Sequence, residues 1–205
     1  MPEPDALLLD LDGTLVDSEG FHRQVFRNWF AARGWPLDDD LLAGFTGRRA
    51  DDVLATVPGP WTGEDVGVMT AELLAQMALL PRPDLALGAA ELLARSGVRM
   101  GLVTSANLGW ARTCLGELMA GFEVVVTRDE VVNGKPHPEP YALACRLLSV
   151  VPANCIAIED APAGVESALA AGIGQVVAIT STFTATELAA AHIVVSSLDA
   201  VHAIL

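Results

Sequence analysis

Short runs of apolar residues alternate along most of the chain with segments whose apolar positions recur every three or four residues. Such runs are typical of strands buried in a parallel sheet, and the longer spacing is typical of helices packed against it. The runs predict strands at Ala6–Leu9, Arg99–Val103, Glu123–Thr127, Cys155–Ile158, Gln175–Ile179 and Ile193–Val195. Helices are predicted at Gly88–Arg95, Leu108–Met119, Pro140–Leu148, Ala163–Ala171 and Thr184–Ala190. This alternation predicts an α/β fold with a doubly wound parallel sheet.

The segment from Asp17 to Pro83 interrupts this alternation and shows no strand pattern. Its apolar residues recur at helical spacing, as at Phe21, Val25 and Trp29. Further helices are predicted at Ala50–Thr56 and near Gly63–Leu79. We therefore expect a small helical domain, residues 17–83, inserted after the first strand, with residues 1–16 and 84–205 forming the α/β domain.

The composition describes a globular chain, with 52% hydrophobic residues and a formal net charge of −14. Such acidity argues against nucleic acids and anionic membranes as partners, although a local cluster of amides, a lysine and a metal can still bind phosphate. No stretch approaches the roughly 18 apolar residues of a membrane span, and no signal-peptide pattern is present. Three separated cysteines indicate reduced thiols, so we expect a cytoplasmic protein. The sequence does not fix the oligomeric state, and a monomer is the expectation.

The first predicted strand ends in two carboxylates, Asp10 and Asp12, within the stretch LLLDLDGT. Residues i and i+2 of an extended chain point the same way, so both side chains could face one site. One carboxylate could act as a nucleophile while the other transfers a proton. Two like charges this close need a cation, and Mg²⁺ suits them. The same stretch is also compatible with a plain strand end followed by an Asp-Gly turn.

Three further stretches place polar residues at predicted strand ends, where parallel sheets bind their ligands, or, in the case of GKPHP, in a loop on the same side of the sheet. In VTSAN, Thr104 and Ser105 offer groups that could bind an anion, or the stretch could simply cap the next helix. In GKPHP, two prolines fix Lys135, which could bind phosphate or an aspartate, or lie exposed in a turn. Glu159 and Asp160 end the fourth strand. The alternative explanation is that acids are favourable at the N-terminus of the following helix, which would account for Asp160 better than for Glu159.

Taken in order, the stretches DLDGT, VTSAN, GKPHPEPY and IEDAPAG resemble the four motifs of the haloacid dehalogenase superfamily. The inserted segment resembles the helical cap of the subfamily that contains β-phosphoglucomutase and many sugar- and polyol-phosphate phosphatases. The resemblance implies a Rossmann-like core with a cap, Mg²⁺ as cofactor and a small phosphorylated metabolite as substrate. The dehalogenases of the superfamily lack an acid at the position of Asp12, so dehalogenation is disfavoured.

The resemblance also implies roles for the motif residues. Asp10 would attack phosphorus and form an aspartyl-phosphate, and Asp12 would protonate the leaving alcohol and then deprotonate water. The phosphoryl oxygens would be bound by Thr104, Ser105 and Lys135. Mg²⁺ would be held by the carboxylates of Asp10 and Asp160 and by the backbone carbonyl of Asp12, with Glu159 supporting its water shell.

Three residues of the inserted segment are candidates for contact with the substrate. Arg48 and Arg49 could face the site on the α/β domain, or they could only solvate the cap. His22 lies ten residues after Asp12, where β-phosphoglucomutase also has a histidine that hydrogen-bonds its acid/base aspartate. The alternative for His22 is a helix residue packed beside Phe26.

Three functions are compatible with these observations. The leading one is a Mg²⁺-dependent phosphatase of a small sugar or polyol phosphate. The second is a phosphomutase of the β-phosphoglucomutase type, in which a sugar hydroxyl accepts the phosphoryl group instead of water. The third is a catalytically silent binding protein on the same fold, and the presence of all four motifs argues against it.

Overall fold

A computed structural model describes residues 4–46, 48–94 and 97–202 of the chain. The chain divides into two compact units, which we name the α/β unit (Met1–Asp17 with Asp84–Leu205) and the helical unit (Ser18–Pro83). Asp17 lies in the α/β unit, where its backbone N–H donates to the carbonyl of Asp84 at 3.0 Å. Arg95, the predicted end of one helix, lies outside the described residues.

The described part of the α/β unit contains one sheet of six parallel strands, which confirms the predicted fold class. The strands are β1 Ala6–Leu9, β2 Met100–Val103, β3 Val124–Val126, β4 Cys155–Glu159, β5 Gln175–Ile179 and β6 Ile193–Val195. They are ordered β3-β2-β1-β4-β5-β6 across the sheet. The direction of winding reverses between β1 and β4, and doubly wound sheets bind their ligands at the carboxyl ends of the strands beside such a switch point.

The helical unit contains α1 Glu19–Arg33, α2 Asp39–Ala43, α3 Ala50–Thr56 and α4 Val66–Met77. Its core is rich in aromatic residues, including Trp29, Phe30, Phe45 and Trp61. Glu72 on α4 accepts hydrogen bonds from the Trp29 indole and the Arg33 guanidinium, both at 2.8 Å, and so joins α4 to α1. No helix within the described ranges is long and apolar enough to cross a membrane.

Helices cover both faces of the sheet, and the alternation of side chains along β1 explains why. The helices of this unit are α5 Ala89–Leu93, α6 Leu108–Leu115, α7 Glu139–Leu148, α8 Pro162–Ala170 and α9 Leu198–His202. Leu7 and Leu9 share a buried cluster with residues of α5, α6 and α9, whereas Ala6 and Leu8 share one with residues of α7 and α8. A strand that is apolar on both faces therefore sits at the centre of the unit.

Two helix predictions are wrong in detail. Residues 184–190 form successive turns rather than a helix, because Leu188 is the only buried residue among them and a short helix needs a packed face to be stable. The predicted helix Leu108–Met119 ends at Leu115 and continues as a 3₁₀ helix over Gly116–Gly121, where Gly116 has a φ of 54°. The short helices α2 and α9 were not predicted.

Candidate active site

Three buried carboxylates lie at the carboxyl ends of the neighbouring strands β1 and β4. Asp10 follows β1 directly, Glu159 is the last residue of β4 and Asp160 comes next. The register pairs Leu9 with Ile158, and the N–H of Asp10 donates to the Ile158 carbonyl at 3.1 Å. One oxygen from each of the three carboxylates lies within 4.8 Å of the other two. Parallel pairing of β1 with β4 therefore brings together the acids of two distant motifs.

Lys135 is held between two of these acids. Its Nζ atom lies 2.5 Å from Asp10 Oδ1, 2.5 Å from Glu159 Oε1 and 2.9 Å from the carbonyl oxygen of Val103. Three acceptors match the three protons of an ammonium group. The side chain is only 6% exposed, so the predicted alternative of an exposed lysine in a surface turn is wrong.

Hydrogen bonds from neighbouring elements fix the loop that carries Lys135. The Ser167 hydroxyl on α8 donates to the carbonyl of His137 at 2.6 Å. The carboxylate of Glu139 accepts the backbone N–H groups of Val132 and Asn133, each at 2.9 Å. These contacts tie the loop down on both sides of Lys135, so the ammonium position depends on α7 and α8.

Both carboxylate oxygens of Glu159 accept hydrogen bonds from groups of the protein. Its Oε1 atom accepts from Lys135 and from the hydroxyl of Tyr141, the latter at 2.7 Å, and its Oε2 atom accepts the N–H of Asp160 at 3.3 Å. A Cβ added at Gly164, in the first turn of α8, would collide with the Glu159 carboxylate. The glycine therefore leaves room for Glu159, which orients Lys135.

Burial and mutual repulsion control the pKa values of the cluster. Burial, reinforced by Glu159 and Asp160, raises the pKa of Asp10 well above its ordinary value despite the opposing charge of Lys135. Burial and the charge of Glu159 raise the pKa of Asp160 to about 7. Burial lowers the pKa of Lys135, but the charges of Asp10 and Glu159 outweigh it, so its net pKa is raised and the side chain is an ammonium ion.

The charge and the donor set of this cluster fit a divalent cation. When all three carboxylates are ionised, they leave an excess of two negative charges beside the one ammonium group. Carboxylate oxygens are the ligands that hard cations such as Mg²⁺ prefer. Burial is the first cause of the raised pKa values of Asp10 and Asp160, and repulsion from the neighbouring carboxylates adds to it, so a cation bound here would favour their ionised forms.

A glycine and the loop after β5 shape the surroundings of Asp160. Gly13 has a φ of 79°, and a Cβ on it would collide with the Asp160 carboxylate and with the Thr182 hydroxyl. Thr182 hydrogen-bonds the Asp160 carboxylate, and Ser181 Oγ donates to the carbonyl of Gly13 at 2.5 Å. A side chain at position 13 would therefore displace a candidate metal ligand.

Asp12 is not one of the three carboxylates that lie within 4.8 Å of one another, but its charge helps to raise the pKa of Asp160. Asp12 is half-buried, and its two carboxylate oxygens lie 3.0 and 3.2 Å from Nε1 of Trp110. Trp110 belongs to the first turn of α6, where its N–H donates to the N-cap side chain of Asn107 at 2.8 Å. The two acids of DLDGT thus have different hydrogen-bond donors, Lys135 for Asp10 and Trp110 for Asp12.

Thr104 and Ser105 follow β2 at the same edge of the sheet as the acids. Thr104 is 4% exposed, and its N–H donates to the carbonyl of Val126 at 2.9 Å. Its hydroxyl oxygen accepts the N–H of Ala106 at 3.0 Å, and Ser105 is half-buried. The capping role that the sequence left open for this stretch falls to Asn107.

The candidate residues of the inserted segment lie in the helical unit. His22 is a half-buried residue of α1 whose ring makes an edge contact with Phe21, at 5.7 Å between centroids. Arg48 is exposed, and Arg49 is half-buried with extended backbone directly before α3. The proposed contacts of these three side chains with a substrate stay predictions.

The sequence analysis missed three residues that contact the candidate acids: Trp110, Tyr141 and Thr182. Two of them carry a signal in the sequence. Tyr141 is the only tyrosine of the chain and closes the quoted stretch GKPHPEPY, and Trp110 is the only tryptophan outside the inserted segment. Large aromatic residues with a polar group, placed next to motif residues, are candidates for hydrogen bonds to the site. Thr182, in contrast, has no comparable signal.

The chain is similar to known proteins along most of its length. Residues 4–172 match the family of haloacid dehalogenase-like hydrolases. The chain is 40% identical to validoxylamine A 7'-phosphate phosphatase of Streptomyces hygroscopicus subsp. limoneus, over 95% of this chain and 94% of the relative. It is 35% identical to hexitol phosphatase A of Escherichia coli (strain K12), over 94% and 90%.

A solved structure shares the fold over nearly the whole chain. It is a mutant of CbbY from Rhodobacter sphaeroides in complex with xylulose-1,5-bisphosphate, with a TM-score of 0.81 and 27% identity. The match covers 95% of this chain and 94% of that one. The similarity therefore extends through both units of the chain.

Proposed function

Because the chain belongs to the haloacid dehalogenase-like hydrolases and is a phosphoric monoester hydrolase, we propose that it releases phosphate from a small sugar or polyol phosphate. We propose Mg²⁺ as its metal and an aspartyl-phosphate as its intermediate. The observation that carries this proposal is the buried arrangement of Asp10 and Asp160 beside the ammonium group of Lys135.

Asp10 is the proposed nucleophile. A carboxylate must be ionised to attack phosphorus, and burial opposes ionisation at this position. Lys135 counteracts that effect and binds Oδ1, which fixes the orientation of the carboxylate and leaves Oδ2 to attack. The new Oδ2–P bond forms as the bond between phosphorus and the ester oxygen breaks, and the leaving oxygen takes the electron pair.

Asp12 is the proposed acid and base. In the first step it gives its proton to the leaving alkoxide, which departs as an alcohol. In the second step the ionised carboxylate takes a proton from the water that attacks phosphorus, and Asp10 is released as a carboxylate. Trp110, the donor to Asp12, is neutral, in contrast to the ammonium group that binds Asp10, which suits a group that must change protonation state during each cycle.

The phosphoryl group needs donors and positive charge around its oxygens, because charge is spread over them in the transition state. Lys135 supplies the charge, and the hydroxyl groups of Thr104 and Ser105 are the proposed donors. Thr104 is held for this role by its backbone hydrogen bond to β3. Mg²⁺ would be held by the carboxylates of Asp10 and Asp160 and by the carbonyl of Asp12, and it would neutralise charge on the phosphate oxygens.

The substrate class rests on the relatives, which are named as phosphatases of validoxylamine A 7'-phosphate and of hexitol phosphates. We propose that the helical unit acts as a cap whose residues Arg48, Arg49 and His22 contact the part of the substrate beyond the phosphate. These names favour hydrolysis over the phosphomutase reaction, and the charged cluster argues against a catalytically silent protein.

A phosphate-release screen tests the proposal. The purified protein is incubated with phosphate esters of hexoses, hexitols, pentoses and cyclitols, with Mg²⁺ and with a chelator, beside the Asp10→Asn variant as a matched control. We expect release from some esters that requires both the metal and Asp10. Supplying hexose 1-phosphate with its bisphosphate tests the mutase alternative, which predicts an isomer instead of inorganic phosphate. Release that persists in the variant or in chelator would contradict the proposal.

A further inference from the structure

A hydrogen bond links the proposed acid to a residue outside the four motifs. The indole N–H of Trp110 points at both carboxylate oxygens of Asp12, at 3.0 and 3.2 Å. The two residues are separated by 98 positions in sequence, so this contact is made by the tertiary fold.

Two features of α6 fix the position of this donor. The backbone N–H of Trp110 is bound by the side chain of Asn107, which caps the helix. The indole ring is partly buried against the hydrophobic cluster that contains Leu9 and Leu11, on either side of Asp10 in sequence. The ring is therefore packed against the residues that flank Asp10 in sequence.

We infer that Trp110 is a positioning residue that holds the carboxyl group of Asp12 in the orientation needed for proton transfer. This inference rests on the proposed function, because it assigns to Asp12 the exchange of protons with the leaving alcohol and with water. Trp110 does not touch the reacting atoms and acts through Asp12.

The chemistry of an indole N–H suits this task. It is a donor only and does not ionise, so it neither takes the proton of Asp12 nor supplies one. A donor shared between both oxygens can keep a hydrogen bond in both states, because the protonated carboxyl group still has an oxygen that accepts. A lysine or arginine in this place would add a positive charge and favour the ionised form alone.

Replacing Trp110 with phenylalanine removes the N–H and retains an aromatic ring for packing. The diagnostic measurement is kcat/KM for two classes of ester, since this ratio reports the steps up to formation of the aspartyl-phosphate. An alkyl phosphate has a poor leaving group that needs a proton from Asp12, whereas p-nitrophenyl phosphate releases a stable phenolate without one. The two esters therefore separate proton transfer from every other contribution of the residue.

We expect Trp110→Phe to lower kcat/KM for the alkyl phosphate about tenfold to a hundredfold, because a misplaced acid loses part of the rate enhancement that proton transfer normally supplies. For p-nitrophenyl phosphate, kcat/KM should fall less than about threefold. The Asp12→Asn variant should show the same selectivity with a larger loss. Adding Trp110→Phe to Asp12→Asn should then have little further effect, since the residue acts through Asp12.

Equal losses for both esters, or no loss for either, would overturn the positioning role. If Trp110→Phe does not fold, 3-benzothienylalanine at this position keeps the size and shape of the indole and replaces its N–H with sulfur, and the same selectivity is expected. A wild-type protein that releases phosphate from no ester would instead overturn the proposed function on which this role depends. The two failures are therefore distinguished by the wild-type measurement.

Discussion

Lys135 and the acids around it show how one residue can serve both the fold and the proposed chemistry. Its ammonium group is buried, which is tolerated because Asp10, Glu159 and the Val103 carbonyl bind all three protons. Removing one partner of such a pair leaves an uncompensated buried charge. Substitutions in this cluster must therefore be judged by stability as well as activity.

Asp10→Asn is expected to lower turnover about a thousandfold or more, because an amide is a poor nucleophile of nearly the same shape. The fold should be retained, since the amide oxygen can still accept from Lys135 and one of three clustered negative charges is removed. Rapid quenching of the wild type followed by mass spectrometry should place phosphate on Asp10. A phosphorylated serine or histidine peptide in its place would contradict the mechanism.

Asp160 is expected to make Mg²⁺ binding dependent on pH. Its pKa in the metal-free protein is raised to about 7, so below that pH the metal must displace a proton. The apparent Mg²⁺ affinity should therefore fall as the pH is lowered from 8 to 6, by up to about tenfold per unit. Titration calorimetry at several pH values measures this dependence.

Asp160→Asn is the matched variant for that titration. It should bind Mg²⁺ more weakly at pH 8 and lose part of the pH dependence, while the raised pKa of Asp10 retains the rest. The free energy of unfolding should change less than the free energy of Mg²⁺ binding, because the packing of β4 does not involve this carboxylate. An unchanged Mg²⁺ dependence would show that Asp160 does not hold the metal.

At the scale of elements, α8 places Gly164 against the carboxylate of Glu159 in the candidate site. Alanine normally stabilises a helix relative to glycine by about 1 kcal/mol. A Cβ at this position would collide with the Glu159 carboxylate, so Gly164→Ala is expected instead to lower the free energy of unfolding by about 1 to 3 kcal/mol. Because Glu159 holds Lys135, activity should fall as well.

Gly20 on α1 offers the matched control, since a Cβ there would have no neighbour within 4 Å. Gly20→Ala should leave the free energy of unfolding unchanged or raise it by up to about 1 kcal/mol. Urea denaturation of both variants measures the difference. Similar stabilisation in both would show that Glu159 can move away from Gly164 without loss.

The strands were the elements that the sequence predicted best. β1, β5 and β6 begin and end at the predicted residues because their apolar runs are bounded by polar ones. The helix predicted at Thr184–Ala190 does not form, because its apolar positions do not pack as one face and only Leu188 is buried. Propensity without a packed face does not make a helix of that length.

The site was predictable where a motif carries the chemistry and not where tertiary contacts support it. The clustering of Asp10 with Asp160 follows from strand ends that meet at one edge of the sheet, and Lys135 joins them from the loop before α7. The contacts of Trp110 with Asp12 and of Tyr141 with Glu159 depend on how helices pack across that sheet. Packing of this kind is not encoded in local spacing.

At the scale of the whole molecule, the net charge of the chain has the same sign as the charge of the proposed substrate. The chain carries a net charge of −14, yet the proposed substrate is an anion. Lys135 and a bound divalent cation can attract the phosphate locally, because short-range charges outweigh a screened net charge. Arg48 and Arg49 of the helical unit are the proposed second source of positive charge, for the remainder of the substrate.

Replacing both Arg48 and Arg49 with alanine tests whether the helical unit contributes to substrate recognition. If these side chains bind groups beyond the phosphate, KM for the physiological ester should rise about tenfold to a hundredfold, as expected for loss of charge-assisted hydrogen bonds. A small ester such as methyl phosphate, which has no group to reach them, should keep its KM. The double variant Arg23→Ala and Arg27→Ala removes the same charge from the same unit and serves as the control. An equal rise in KM for both double variants would indicate long-range attraction of the substrate by positive charge. Equal losses of activity toward both esters would indicate a role of Arg48 and Arg49 in the fold. Only a rise in KM that is selective for the larger ester and for the Arg48 and Arg49 variant supports substrate recognition.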